Sequence, residues 1–132
     1  MLYAVYCEFG FVGVFTSLEV IQQLVFDLYP DTKFIIYVFS NCIYDDTNNY
    51  VWIVYFKNTE IIAYLSQNRE DAERALKTLQ IIDKAYEDSI DHWKLELNTI
   101  PDIVNNILKI HNRYMKEKNN EVINNMDNII IY

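Results

Sequence analysis

Ser17 is the first residue to consider for chemistry, because it opens a long apolar segment, GVFTSLEVIQQLVFDLYP (13–30). A serine nucleophile on a sharp strand-to-helix turn needs glycines on both sides of it. Ser17 instead lies between Thr16 and Leu18. The spacing of Thr16 and Glu19 matches a capping box, in which the hydroxyl accepts from an early helix N–H and the Glu bonds back. We therefore interpret the segment as the start of a helix.

His92 is the main candidate for acid–base chemistry, because Asp88 and Asp91 lie close to it in the chain. A carboxylate can orient an imidazole that transfers protons, so a small hydrolase or transferase built on these residues is one hypothesis. The alternative is a solvent-facing histidine beside acids, since the sequence provides no evident third partner. The second histidine, His111, falls on the apolar stripe of a predicted helix, which is typical of a boundary residue.

Signatures of metal and cofactor sites are missing from the sequence. Cys7 and Cys42 lie far apart and neither belongs to a CxxC pair. We expect two reduced thiols, unless pairing of the first and third strands joins them. The acids between Asp83 and Asp102 follow helical spacing and lack the DxDxDG pattern of a calcium loop. P-loop, Rossmann, HExxH and kinase signatures are also absent, so we expect no metal and no cofactor and favour a non-catalytic protein.

The charge balance excludes several classes of partner. The 132 residues include 11 basic and 19 acidic side chains, for a formal net charge of −8. Nucleic acids and anionic membranes are bound by clustered Lys and Arg, so neither is an expected partner. No apolar segment reaches the roughly 20 residues that span a bilayer, and the first residues lack the basic start of a secretory signal. We expect an intracellular protein; an acidic decoy for basic proteins is a further hypothesis, which requires carboxylates gathered on one face.

Two similar segments organise the first two thirds of the chain. Residues 2–8 and 11–15 predict a β-hairpin around Phe9–Gly10, followed by a helix that ends before Pro30. The second copy of this order has strands at 50–56 and 60–65, an Asn68 cap and a helix over 69–87. The repeated order of hairpin and capped helix, over 2–29 and 50–87, raises the hypothesis of an internal duplication.

The remaining segments complete the predicted fold. Residues 33–44 are β-branched and aromatic, which is typical of an interior strand. The alternation over 91–100 predicts a strand with Trp93, Leu95 and Leu97 facing inward. Thr99 and Pro101 open a third helix. Its predicted apolar stripe comprises Ile103, Val104, Ile107, Leu108, His111, Tyr114 and Met115.

These elements together predict an α+β protein. We expect a mixed or mostly antiparallel sheet of about six strands with three helices packed on it, and the repeated order also allows two β-hairpin–helix units. Residues 1–118 form the predicted single domain. Residues 119–132 form a C-terminal tail, which can contribute a short strand.

The number of aromatic side chains indicates a binding surface. Eleven Tyr, seven Phe and two Trp exceed what three helices can cover on a small sheet, and aromatic residues are enriched at protein interfaces. We therefore expect protein partners and a homo-oligomer or larger assembly. The candidate partner-binding residues are Tyr37, Tyr50, Trp52, Tyr55, Phe26 and Tyr29.

The segment YAVYCEFGFVGVFTSLEVIQQL also carries a resemblance. With a composition rich in Ile, Asn, Tyr and Lys and poor in Gly, Pro, Ala and Arg, it resembles small proteins of unknown function from large AT-rich DNA viruses. The resemblance covers about the first half of the chain and carries over no functional residue. It implies a virion component or a host-facing accessory protein, in the virion or the host cytoplasm. The expected function is a non-catalytic protein-interaction or structural module.

Overall fold

The computed structural model describes residues 1–42, 44–82 and 90–118. Within the predicted domain of residues 1–118, the contacts fall into two compact units. Unit 1 comprises Met1–Ser40 and the described residues from Asn98 onward, and unit 2 comprises Asn41–Leu97. The predicted tail 119–132, the last residues of the predicted second helix and Asp88 lie outside the described residues.

Unit 1 contains a three-stranded antiparallel sheet. Its strands are β1 (Leu2–Cys7), β2 (Gly10–Phe15) and β3 (Phe34–Phe39), in the order β2-β1-β3. Cys7 pairs with Gly10 across the predicted hairpin, and Gly10 has a φ of 119°, which glycine adopts without strain. The ladder shifts register after Val5, where a β-bulge interrupts it.

The first helix begins as predicted, but its cap is the next residue. The Ser17 hydroxyl accepts a hydrogen bond from the Val20 backbone N–H at 3.1 Å. The predicted Thr16 cap is wrong because both the hydroxyl and the N–H of Thr16 bond to the Asn98 side chain instead. After α1 (Leu18–Ile21) the backbone continues as a π-helical segment (Gln22–Phe26), in which Asp27 N–H bonds to the Gln22 carbonyl.

A second helix completes the core of unit 1. This helix, labelled α3 (Asp102–Lys118), follows the segment of Asn98, whose N–H donates to the Val14 carbonyl of β2. Leu108 of α3 is fully buried in the core of the unit. The side chains buried with it come from the sheet and the first helix: Val5, Val12, Phe15, Ile21, Val25, Phe26, Tyr29, Phe34 and Ile36.

Unit 2 contains its own three-stranded antiparallel sheet and one helix. The strands are β4 (Tyr50–Phe56), β5 (Ile62–Ser66) and β6 (Ile90–Glu96), in the order β5-β4-β6. The helix α2 (Arg69–Ile82) is capped by Asn68, whose side-chain oxygen accepts from two N–H groups of the first turn. The core buries Val54, Ala72 and Ile90 between sheet and helix.

The two units share one topology. In each, a β-hairpin leads into a capped helix, and the next strand pairs with the first strand of the hairpin. The bulge falls at the same dipeptide in both, between Val5 and Tyr6 and between Val54 and Tyr55. The helix caps also correspond. Ser17 lies two residues after Phe15, the last residue of β2, and Asn68 lies two residues after Ser66, the last residue of β5. This correspondence supports the hypothesis of an internal duplication.

The α+β prediction, with six strands and three helices, is confirmed. The strands divide into two antiparallel sheets of three. The predicted inward direction of Trp93 is wrong, because this side chain is 51% exposed while Leu95 and Leu97 are buried. Trp93 lies on an edge strand, where it has a neighbouring strand on one side only and pairs with Ile53.

Candidate functional site

His92 and Asp91 occupy consecutive positions on β6 of unit 2. The Asp91 carboxylate accepts a hydrogen bond from the His92 backbone N–H at 2.8 Å. The distance from the His92 Nδ1 to Asp91 Oδ1 is 3.6 Å, beyond the length of a good hydrogen bond. Asp91 also lies 3.9 Å from the Lys57 ammonium group. The two residues therefore do not form the oriented acid–base pair that the enzyme hypothesis requires, and Asp88 lies outside the described residues.

The His92 imidazole is instead part of an aromatic stack. Its ring lies 5.6 Å from the Trp52 ring at an interplanar angle of 26°. The Arg69 guanidinium lies 5.2 Å from the centroid of the Trp52 ring, at cation–π distance. The His92 Nδ1 is buried and has no hydrogen-bond partner within the described part of the chain. These contacts give His92 a packing role beside the first residue of α2.

A polar cleft of about 440 Å³ opens in unit 2. Gln67 holds the loop that forms one wall of this cleft, because its side chain bonds to the backbone of Asp45, Asn48 and Tyr50. The other lining side chains are mainly amides, acids and hydroxyls: Asn41, Cys42, Tyr64, Leu65, Ser66, Asn68 and Asp71. The cleft is thus built as a hydrogen-bonded junction of loop, strand end and helix start.

Two ionisable groups of this cleft, Asp45 and Cys42, have pKa values shifted by their surroundings. Hydrogen bonds from the Thr47 backbone N–H and then its hydroxyl lower the pKa of Asp45. Burial raises the pKa of the Cys42 thiol, so this sulfur is a weaker nucleophile at neutral pH. Across residues 1–42, 44–82 and 90–118, no three His, Cys, Asp or Glu side chains come together to hold a metal ion. Cys7 and Cys42 form no disulfide, although the first and third strands pair.

The six predicted partner-binding aromatics lie in different environments. Phe26 and Tyr29 are only 3% and 2% exposed, in the core of unit 1. Burial raises the pKa of the Tyr29 hydroxyl, which donates to the Asn105 side chain. Tyr37, Trp52 and Tyr55 are half-buried. Tyr50 alone among the six is exposed, and the Lys94 ammonium lies 4.6 Å from its ring centroid.

The outward face of α3 carries the most regular group of exposed apolar side chains on unit 1. Ile103, Ile107, Ile110 and Tyr114 are 71%, 41%, 71% and 55% exposed. We call these four residues the outer stripe. Their spacing of four, three and four residues is that of the a and d positions of a heptad repeat. The outer stripe is therefore a continuous apolar seam along the helix.

The opposite face of α3 packs into unit 1. Val104 and Leu108 contact the core. His111 bonds to the Glu8 carboxylate at 2.9 Å and lies edge-on to Phe9, as the sequence predicts for a boundary residue. Asn112 accepts a hydrogen bond from the Asp31 N–H. The contacts that hold the helix in place thus come mainly from the face that carries Val104, Leu108 and His111.

Sequence reasoning placed most of the outer stripe on the wrong face. It assigned Ile103, Ile107 and Tyr114 to one inward stripe with Leu108 and omitted Ile110. At 3.6 residues per turn these positions extend over an arc of about 140°, and the core covers only the side of that arc on which Val104 and Leu108 lie. The packed positions 104, 108, 111 and 115 have the same four-three-four spacing as 103, 107, 110 and 114, so spacing alone does not show which face the sheet covers.

Comparisons with known proteins add no relationship to this picture. No protein-family model, curated protein or solved structure matches the chain significantly. Among the described residues, every helix is too short or too polar to cross a bilayer. The candidate functional surface is therefore defined by the geometry of α3 itself.

Proposed function

We propose that this chain is a non-catalytic protein-interaction or structural module whose binding surface is the outer stripe of α3. The observation that carries the proposal is the exposure of Ile103, Ile107, Ile110 and Tyr114 on a helix whose other face is already packed. Contiguous exposed apolar side chains in a protein this small mark a site of association. Helices commonly bind other proteins through apolar side chains that are spaced three and four residues apart on one face.

Charged side chains border the outer stripe as the polar rim of an interface does. Arg113 and Lys118 are exposed on the two flanks of the outer stripe. The Lys118 ammonium lies 5.6 Å from the Tyr114 ring centroid, so the seam ends in a cation–π contact. A polar rim around an apolar centre is the usual composition of specific interfaces.

The proposed module fits a viral accessory or virion role. The support is the compositional resemblance to small proteins of large AT-rich DNA viruses, together with the small size of the chain. Small apolar-faced modules commonly act by binding other proteins in an assembly. Detection of the chain in purified particles tests this part of the proposal, and its absence from both particles and infected host cells contradicts it.

Photo-crosslinking at single positions of α3 tests the proposed binding surface. Benzoylphenylalanine replaces Ile110 in one full-length variant and Lys109 in a matched control, since both side chains are exposed and adjacent. We expect crosslinked protein adducts, to this chain or to another, at least about fivefold more abundant at position 110 than at 109. Equal or absent crosslinking at the two positions contradicts the proposal.

A further inference from the structure

We propose that the outer stripe of α3 binds α3 of a second copy of this chain in antiparallel orientation. The inference rests on the proposed function and specifies its partner. Three properties of the helix support it: the spacing of the apolar side chains, the distribution of charge, and the area available for burial.

The spacing of the outer stripe is self-complementary. The midpoint of its four residues lies between Leu108 and Lys109 of the helix. A two-fold axis at this point pairs Ile107 with the partner's Ile110, and Ile103 with the partner's Tyr114. Every large side chain of the seam then contacts an apolar side chain, as a symmetric interface requires. The 17 residues of α3, rising about 1.5 Å each, span roughly 25 Å and include the whole seam.

The charges of α3 favour antiparallel over parallel pairing. The first turn contains Asp102, and the last turn contains Lys116, Glu117 and Lys118, two basic residues and one acidic residue. Antiparallel pairing brings the acidic first turn of each copy towards the basic last turn of the other, and it also opposes the two helix dipoles. Parallel pairing would place the two basic ends side by side. The arrangement of charge therefore selects one orientation.

The available area predicts a reversible dimer. Four large side chains from each copy can contribute roughly 1,000 Å² of buried surface in total, about the least that a specific interface requires. Interfaces of this size without additional anchors bind weakly. We therefore expect association in the micromolar range, so that the monomer and the dimer can both be observed by dilution.

Light scattering across a concentration series tests whether a second copy binds. The mass of the full chain should rise from 15.8 kDa towards twice that value. The double substitution I107K/I110K should hold the mass at the monomer value, whereas the exposed control Lys109→Ser should leave dimerisation unchanged. Circular dichroism of each variant establishes that it remains folded, so that loss of the dimer is not confused with loss of the fold.

Cysteine trapping tests the orientation. The variants I107C and I110C, each with Cys7 and Cys42 replaced by Ala, carry different tags and are mixed under mild oxidation. Antiparallel pairing predicts that the mixed 107–110 disulfide forms several-fold faster than the 107–107 or 110–110 disulfide, because a disulfide needs Cα atoms within about 7 Å. Predominance of the like pairs contradicts the antiparallel arrangement.

The two proposals fail in different ways. A chain that stays monomeric at all concentrations, or a dimer that I107K/I110K does not dissociate, overturns the second-copy proposal. If photo-crosslinks at position 110 then lead to a different protein, the proposed function stands and only its partner changes. If position 110 gives no adduct, the proposed function itself is overturned.

Discussion

Polar side chains in this protein mostly complete local backbone structure. Ser17 and Asn68 cap helices, and Gln67 bonds to three backbone positions of the neighbouring loop. His92 stacks on Trp52, with its Nδ1 3.6 Å from Asp91. Each of these side chains therefore has a structural contact that accounts for its position.

The Asp45 loop provides a pH-dependent test of this view. Its carboxylate accepts two hydrogen bonds from Thr47, which lower the pKa of Asp45. A carboxyl whose folded-state pKa is lowered stabilises the fold above its unfolded pKa of about 3.9, and that contribution disappears as pH falls through the folded pKa. We expect Thr47→Val to raise the pKa of Asp45, measured by NMR titration, towards its ordinary value.

The backbone N–H of Thr47 still donates in this variant, so part of the lowering should persist. Thr47→Ser keeps the hydroxyl and serves as the matched control, with an Asp45 pKa close to that of the unsubstituted chain. An Asp45 pKa unchanged by Thr47→Val would show that the hydroxyl does not support the loop.

At the scale of secondary structure, local signals predicted where elements begin better than how they pack. The hairpins and the caps of two helices follow from turn residues, hydroxyls and amides close in sequence. The exact cap of the first helix was missed because Asn98, 82 residues away, occupies the Thr16 N–H. The π-helical segment after Ile21 and the shorter β3 likewise depend on tertiary packing that a local pattern does not contain.

Helix α3 shows this difference most clearly, and its two faces should respond differently to substitution. Leu108 is fully buried in the core of unit 1, whereas Ile110 on the outer stripe is 71% exposed. We expect Leu108→Ala to lower the free energy of unfolding by about 2–5 kcal/mol, because it leaves a cavity. Ile110→Ala should lower it by less than about 1 kcal/mol in dilute solution, since surface changes have small effects.

Denaturant unfolding at low protein concentration measures both values. The two positions make a matched pair, because each substitution changes an aliphatic side chain to Ala in the same helix. Similar losses for the two variants would mean that the outer stripe belongs to the core, which contradicts the assignment of the two faces.

At the scale of the whole molecule, local patterns along the chain predicted the class of fold but not its division. Strand, turn and helix-cap signals led to about six strands and three helices, which the structure confirms. The six strands divide into two sheets of the same strand order. This division depends on which distant strands pair, and the alternation of side chains within one strand does not specify its partner. The sequence did indicate this division in part, because the hairpin-and-helix pattern occurs twice and each occurrence falls in a different unit.

The candidate surface was only partly visible for the same reason. Three of its four residues stood in the predicted stripe of α3, but their direction depends on which face of the helix the sheet covers. Ile110 was missed because it falls outside a single inward stripe. Once Leu108 is placed in the core, the exposure of the 103–107–110–114 seam follows from helical geometry.

The outer stripe should be open to solvent in the single chain and covered when a partner binds. NMR of methyl-labelled isoleucine with a soluble paramagnetic compound distinguishes these two states. In dilute protein, the methyl groups of Ile103, Ile107 and Ile110 should be broadened, while those of the buried Ile21 and Ile36 should not be. At high concentration, Ile107 and Ile110 should become protected. Protection of Ile107 and Ile110 equal to that of Ile21 at the lowest concentration would contradict the claim.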